Sequence, residues 1–275
     1  MGMIEDGHVY SFSQLEQFDE CKFSYYLQRI EDHKEDLVNN NFALRGSLIH
    51  DLLDKWAKRE IAAEDLPAEY KKRYVKEVNM TWPRMLAAKG FAEKAYNSGL
   101  EYFENFNEFE GYKVLSSEMK FYTEIAGRKF VGLIDMILED KETGALIILD
   151  HKSKSLSSFK KDEDNMYRQQ TLYAKGVYEK YGRYPDILMF NLFGENGMLM
   201  QRKFDMESYE DVLHWAERQI EAIEEAEMID WFDTKMQHIR DKAEEEGKDP
   251  DKVRLDFFCE NICSCRNICP ETLHR

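Results

Sequence analysis

The chain has no long hydrophobic run: no uncharged apolar stretch approaches the roughly 20 residues needed to cross a bilayer. Its opening, Met1-Gly2-Met3-Ile4-Glu5-Asp6, lacks the basic-then-apolar plan of a secretory leader. Together these absences predict a cytoplasmic protein with no membrane partner. No phosphate-cradling Gly-x4-Gly-Lys-Ser/Thr loop occurs, which excludes a nucleotide-driven motor within the same chain. Internal repeats and low-complexity segments are also missing, which excludes solenoid and linker architectures. Positive charge is scarce as well. Lys and Arg number 38 against 54 Asp and Glu, a net charge of -16, so the surface as a whole does not attract polyanions.

What is present suits a soluble globular fold. The 275 residues are 43% hydrophobic and 33% charged, enough for a large core. Much of the acidic charge falls in segments that read as solvated helices, Glu221 to Glu227 and Asp241 to Glu246. One run is locally basic: Lys152, Lys154, Lys160 and Lys161, then Arg168. It reads either as a groove that meets phosphates or as a solvated loop.

The hydrophobic period divides the chain into helices, then strands, then helices. Ser13-Gln14-Leu15-Glu16 has the form of a capping box and predicts an N-terminal helix that carries Cys21. A second helix is expected over about Phe42 to Glu60, with Leu48, Leu52 and Trp56 on one stripe and His50 well round from it. Further helices are expected over about Ala68 to Phe109. Val114 to Ile125 and Lys129 to Leu138 read as a hairpin turning at Ala126-Gly127-Arg128, followed by a strand over Ala145 to Lys152. A helix over about Asn165 to Tyr181 then leads into Ile187 to Phe193, predicted to lie parallel to the preceding strand, and Asn196-Gly197 turns the chain into a last strand. The expected architecture is α/β, a mixed central sheet flanked by helices. As a single domain it comprises N-terminal helices (10–60), a helical insertion (61–110), the sheet core (111–205), and C-terminal helices with a Cys-rich staple (206–275).

Chemistry concentrates at two strand ends. Val131-Gly132-Leu133-Ile134-Asp135 ends an apolar run in an acid. Ile147-Ile148-Leu149-Asp150-His151-Lys152 ends another in an acid and sets a lysine two residues on, on the same strand face. Two carboxylates can hold a divalent cation that polarises a phosphate and activates water, and the lysine can stabilise the negative charge that develops. The side chain of His151 points away from its neighbours and receives no catalytic role. Glu118 is a weaker candidate, because Glu118, Lys120 and Tyr122 alternate onto one strand face, and a plain polar edge residue is an equal reading.

The ordered set around these acids resembles the PD-(D/E)xK nuclease superfamily in its RecB-like branch. Gly46-Ser47-Leu48-Ile49-His50 matches the Gly-x-x-x-His of a helix, and Gly132-Leu133-Ile134-Asp135 the Gly-x-x-Asp of the sheet. Asp150-His151-Lys152 matches the acid-x-Lys, and Gln169-Gln170-Thr171-Leu172-Tyr173 the Gln-x-x-x-Tyr of a following helix. The resemblance runs from about Tyr10 to Pro270 and is weakest over Ile61 to Glu108. It implies a restriction-endonuclease-like fold and a DNA exonuclease acting on single strands or duplex ends. His50, Asp135, Asp150 and the backbone carbonyl of His151 would bind Mg²⁺ or Mn²⁺, and Lys152 would be the catalytic lysine. Gln169 and Tyr173 would contact DNA or brace the site. Enzymes of this size resemble CRISPR-associated RecB-like nucleases and their phage or mobile-element relatives, so any integrase, helicase or recombinase would be a separate chain. A non-catalytic DNA-end-binding or assembly subunit and a sequence-specific endonuclease stay open as alternatives.

Five cysteines are distributed unevenly: Cys21 stands alone, while Cys259, Cys263, Cys265 and Cys269 fall within eleven residues. Such clustering without a leader reads as metal ligation. A subset of the RecB-like branch joins one N-terminal and three C-terminal cysteines around a 4Fe-4S cluster. Cys263, Cys269 and Pro270 match the Cys-x5-Cys-Pro ending, and Cys21 fits the N-terminal position. Cys259 stands one residue further from Cys263 than the usual spacing, so the third C-terminal ligand is either Cys259 or Cys265. A local zinc site of the four C-terminal cysteines is the rival.

Overall fold

The computed structural model describes residues 7–33 and 41–273; the opening Met1–Asp6 and residues 34–40 of the expected N-terminal segment lie outside them. The chain begins with β1 (Tyr10–Ser11), α1 (Phe12–Glu20), α2 (Lys22–Tyr25), α3 (Asn41–Ala57), α4 (Leu66–Glu77), α5 (Arg84–Ala87) and α6 (Phe91–Glu104). The strand-rich centre follows: β2 (Tyr112–Ile125), β3 (Arg128–Asp140), β4 (Leu146–Lys152), α7 (Leu156–Lys161), α8 (Glu163–Tyr181), β5 (Ile187–Leu192) and β6 (Met198–Lys203). It ends with α9 (Met206–Glu225), α10 (Lys235–Glu245), α11 (Phe257–Asn261) and α12 (Pro270–Leu273). Of the described residues, 7–33, 124–130 and 215–273 form one compact unit, and 41–123 with 131–214 form another.

The six-stranded sheet runs β1-β3-β4-β5-β6, with β2 paired to β3. Ala126 and Gly127 both take left-handed φ values, +50° and +68°, which a tight two-residue hairpin demands. β3 and β4 are antiparallel with Met136 opposite Leu149. β4 and β5 are parallel with Asp150 opposite Phe190 and His151 opposite Asn191, the strand-helix-strand unit expected from sequence. β4 is buried from Leu146 to His151, as a continuous apolar run should be when both faces are covered.

Two cores fix the ends of these strands. Met136, Leu138, Ile147, Leu149 and Met189 pack with Phe109 on the sheet. Leu48, Ile49, Leu52 and Leu53 of α3 pack with Leu66 and Tyr70 of α4, Tyr102 and Phe103 of α6, and Phe193. Each such side chain contributes about 1.5–3 kcal/mol when fully buried. The helices of the 61–110 segment therefore buttress α3 from behind. Arg45, 6% exposed, ties α3 to α6 by donating to the Ala95 carbonyl at 2.9 Å and to Ser98 Oγ at 2.8 Å. The other unit has its own aromatic centre, in which Trp231 stacks on Tyr25 at 5.9 Å and meets Phe18 edge-on.

Three local expectations are corrected. α1 starts at Phe12 with Ser11 as its cap and no side-chain capping bond, so Ser13 lies inside the first turn rather than heading a capping box. Cys21 is not carried on a helix: it sits in extended backbone between α1 and α2. Lys160 and Lys161 belong to the short helix α7, capped by Ser155, where a loop was one reading.

Candidate active site

The ends of β3 and β4 bring the two acids together. Continuing the β3–β4 register one step beyond Met136 and Leu149 sets Asp135 opposite Asp150, and Asp135 Oδ2 accepts the backbone N–H of His151 at 2.8 Å. From α3, His50 Nε2 lies 2.9 Å from the His151 carbonyl oxygen, while Nδ1 faces Asp135 Oδ2 at 3.4 Å. His50, Asp135 and the His151 carbonyl thus meet where β3 and β4 end, with Asp150 opposite Asp135 in the strand register. Lys152 Nζ stands 3.0 Å from Asp150 Oδ2.

Glu118 joins them. Its φ of +44° is the left-handed conformation that side chains rarely adopt in a strand, the mark of a bulge that re-aims a residue. Beyond it Met119 and Phe121 point inward while Lys120 and Tyr122 point out. His50, Glu118 and Asp135 offer ligand atoms all within 4.8 Å of one another, and among the described residues they are the one such group of His, Cys, Asp or Glu. Carboxylate oxygens and an imidazole nitrogen at that spread could hold a divalent metal ion. Alternation with Lys120 and Tyr122 sets Glu118 on one strand face but does not separate a ligand from a polar edge residue; an acid on the strand hairpinned to the Gly-x-x-Asp strand is the available signal.

The electrostatics are those of a cation site. Burial pushes the Asp150 carboxyl up to about 6, the Lys152 ammonium opposes the shift, and the charge of Asp135 adds to it. Burial and then Asp135 likewise raise Glu118. These acids are held close enough to resist sharing negative charge without a counter-ion. A group whose folded pKa exceeds its unfolded value stabilises the fold at low pH and loses that contribution as pH rises through the folded pKa. In EDTA the wild type should therefore lose stability relative to Asp150→Asn between about pH 4 and about pH 6, and the variant should melt higher above that window. Thermal melts at both ends of the window check this; equal melting differences at both ends would contradict it.

The surrounding side chains hold this edge in place. His151 is buried, and its ring Nδ1 accepts from Asn191 Nδ2 at 2.9 Å while the same amide reaches Tyr102 Oη at 2.8 Å. Burial drives the His151 pKa down to about 3, so the ring is neutral and braces β4 against β5 through Asn191. On α8, Gln169 Nε2 donates to Tyr173 Oη at 3.2 Å, and the Tyr173 ring meets Phe121 edge-on at 5.3 Å. Burial raises the Tyr173 pKa. The glycine of Gly132-Leu133-Ile134-Asp135 is explained by close packing: a Cβ on Gly132 would overlap the Phe121 ring and crowd Tyr173. Gly46 faces open space in the cleft of about 590 Å³ lined by His50, Glu118, Leu133 and Asp135. Of the basic run, Lys154 pairs with Asp162 at 3.1 Å.

All five cysteines line a single small pocket in the other unit, together with Lys235 and Arg266. All are free thiols. Burial raises Cys21, and pushes Cys259 up to about 12. Cys265 is lowered to about 6 by hydrogen bonds from Cys263, Gln28, Ser24 and Ser264. Among the described residues no three of these sulfurs lie within 4.8 Å of one another, a wider spread than four thiolates at about 2.3 Å around one zinc ion would take.

A family model described as the PD-(D/E)XK nuclease superfamily matches residues 9–270. The crystal structure of a candidate exonuclease from Eubacterium rectale is similar, with a TM-score of 0.48 and 13% identity over 79% of this chain and 80% of that one. No curated protein matches.

Proposed function

The chain belongs to the PD-(D/E)XK nuclease superfamily, and on that premise we propose that it is a DNA exonuclease of the RecB-like branch, acting on single strands or duplex ends with Mg²⁺ or Mn²⁺. The observation that carries this reading is the group of His50, Glu118 and Asp135 beside the Asp150–Lys152 pair at the ends of adjacent strands. The Gln169–Tyr173 contact on α8 supports the branch.

Hydrolysis of a phosphodiester needs a water oxygen to bond to phosphorus, one ester P–O bond to break, and the departing alkoxide to gain a proton. His50, Glu118 and Asp135, with Asp150 and the carbonyl of His151, would hold a divalent cation, which would supply Lewis acidity at the phosphate. Asp135 keeps His50 turned toward that position and anchors the backbone of β4 at the same time. Lys152 brings a fixed positive charge to the phosphoryl oxygens, where negative charge grows in the transition state. Tyr173 and Phe121 exclude water behind the strand ends, which strengthens each of these interactions.

The same reading takes Cys21, Cys263, Cys269 and one of Cys259 and Cys265 as ligands of a structural 4Fe-4S cluster. The pocket that Cys21 lines together with the C-terminal cysteines supports a site that includes both ends of the chain. No helix among the described residues is long and apolar enough to cross a membrane. A cytoplasmic enzyme, with any integrase, helicase or recombinase as a separate chain, fits the reading.

The test of the exonuclease assignment is topological. In Mn²⁺ the protein should degrade linear end-labelled DNA and leave covalently closed single-stranded circles intact. Cutting of the circles would favour an endonuclease, and binding of ends without cleavage would favour an assembly subunit.

A further inference from the structure

The acidic net charge leaves open how this chain holds a strand of DNA, and the outer face of the β2–β3 hairpin carries an answer. Phe121 and Gly132 face α8, since the Phe121 ring fills the space beside both Gly132 and Gly176. By alternation Lys120, Tyr122 and Leu133 leave on the opposite face. Tyr122 is 63% exposed and Leu133 is 45% exposed, so both offer apolar surface to solvent beside the cleft. Lys120 Nζ lies over the Tyr122 ring, 5.1 Å from its centroid. Leu133 lines the cleft that contains His50, Glu118 and Asp135, so this strip is continuous with the metal-binding edge. Four residues of strand separate Tyr122 from Glu118, about 13 Å.

We propose that Tyr122, with Lys120 beside it, is a stacking platform for a base of single-stranded nucleic acid whose scissile phosphate sits at His50, Glu118 and Asp135. The inference rests on the nuclease reading and adds the substrate's path to it. An exposed aromatic ring offers a π face to any base: the Lys120 ammonium lies over one face of Tyr122, where it brings positive charge close to a nucleotide's phosphate, and the other face is left for stacking. A paired duplex hides those faces, so the platform selects single strands. Stacking also depends little on long-range charge, which lets a chain of net charge -16 retain DNA.

Two readouts separate this platform from the catalytic edge. Binding of a fluorescent oligothymidylate is followed by anisotropy in Ca²⁺, and turnover of thymidine 5′-monophosphate p-nitrophenyl ester, too short to reach Tyr122, is followed in Mn²⁺. Tyr122→Ala should weaken oligothymidylate binding roughly ten-fold or more, Tyr122→Phe should bind like the wild type, and both should hydrolyse the ester at the wild-type rate. Wild-type affinity in Tyr122→Ala, or an equal loss in the Phe and Ala variants, overturns the proposal. A wild type that hydrolyses the ester but does not bind oligothymidylate overturns it alone. One that does neither overturns the nuclease reading with it.

Discussion

Asp135→Ala should abolish metal-dependent cleavage, lowering the rate by roughly 10³-fold or more, while the protein remains folded. The carboxylate has three partners at once: the ring of His50 at 3.4 Å, the backbone N–H of His151 at 2.8 Å, and the ligand group that includes Glu118. Removing it takes away a ligand, frees His50 from one of its two anchors, and leaves the end of β4 less well defined. The stability change is smaller because two effects oppose. An amide that loses its acceptor costs about 1–3 kcal/mol, whereas the charge of Asp135 raises both Glu118 and Asp150, and that repulsion disappears with it. The informative readouts are the cleavage rate and the rise in melting temperature on adding Mn²⁺. Both should vanish together in the variant; retention of a Mn²⁺-induced shift equal to that of the wild type would remove Asp135 from the ligand set.

Cys21→Ser should lose the metal content of the cysteine pocket and loosen the C-terminal segment. Cys21 comes from the short break between α1 and α2, and the other four cysteines come from 238 residues or more further along the chain. A cluster ligated by both ends closes a very long loop, and losing that link returns its entropy to the unfolded chain. Among the described residues the pocket has a small apolar interior, so thiols left without metal there have little else to hold them in register. Iron and sulfide analysis of protein purified without oxygen, together with hydrogen exchange over 235–273, reads the outcome. The expected result is iron at background level and faster exchange in that segment. A variant that keeps a full complement of metal, with zinc in place of iron, would instead assign the site to Cys259, Cys263, Cys265 and Cys269 alone.

The sheet and most of the site could be read from sequence because the residues concerned obey strong local rules. The alternation in β2 and β3, the left-handed turn at Ala126-Gly127 and the unbroken apolar run of β4 each specify their structure within a few residues. Asp135, Asp150 and Lys152 were visible because they interrupt those runs where a strand emerges from the core. Glu118 alternates with Lys120 and Tyr122 onto one strand face, but a polar edge residue does the same; its approach to His50 and Asp135 comes from distant parts of the chain and is not legible locally. Ser13 offered a capping pattern, but the pairing of β1 into the sheet sets the start of α1 one residue after Ser11. Cys21 fell outside its helix for a related reason: the backbone N–H of Phe23 donates to the Asp233 carbonyl at 2.9 Å, a contact between residues 210 positions apart. The grouping of 7–33, 124–130 and 215–273 into one unit rests on the same kind of distant contact, including Arg128 with Glu224 at 2.6 Å.

The central claim is that the edge formed by His50, Glu118, Asp135, Asp150 and Lys152 hydrolyses DNA, and Lys152 tests it most directly because its removal leaves every metal ligand in place. The measurement is degradation of end-labelled single-stranded DNA in Mn²⁺ by the wild type and by Lys152→Ala, with Mn²⁺ binding followed in parallel. The account predicts cleavage by the wild type that stops in EDTA, a loss of roughly 10²-fold or more in Lys152→Ala, and Mn²⁺ binding retained in the variant. A wild type that binds Mn²⁺ and DNA but leaves the strand intact, or a Lys152→Ala variant that cleaves at the wild-type rate, would contradict it.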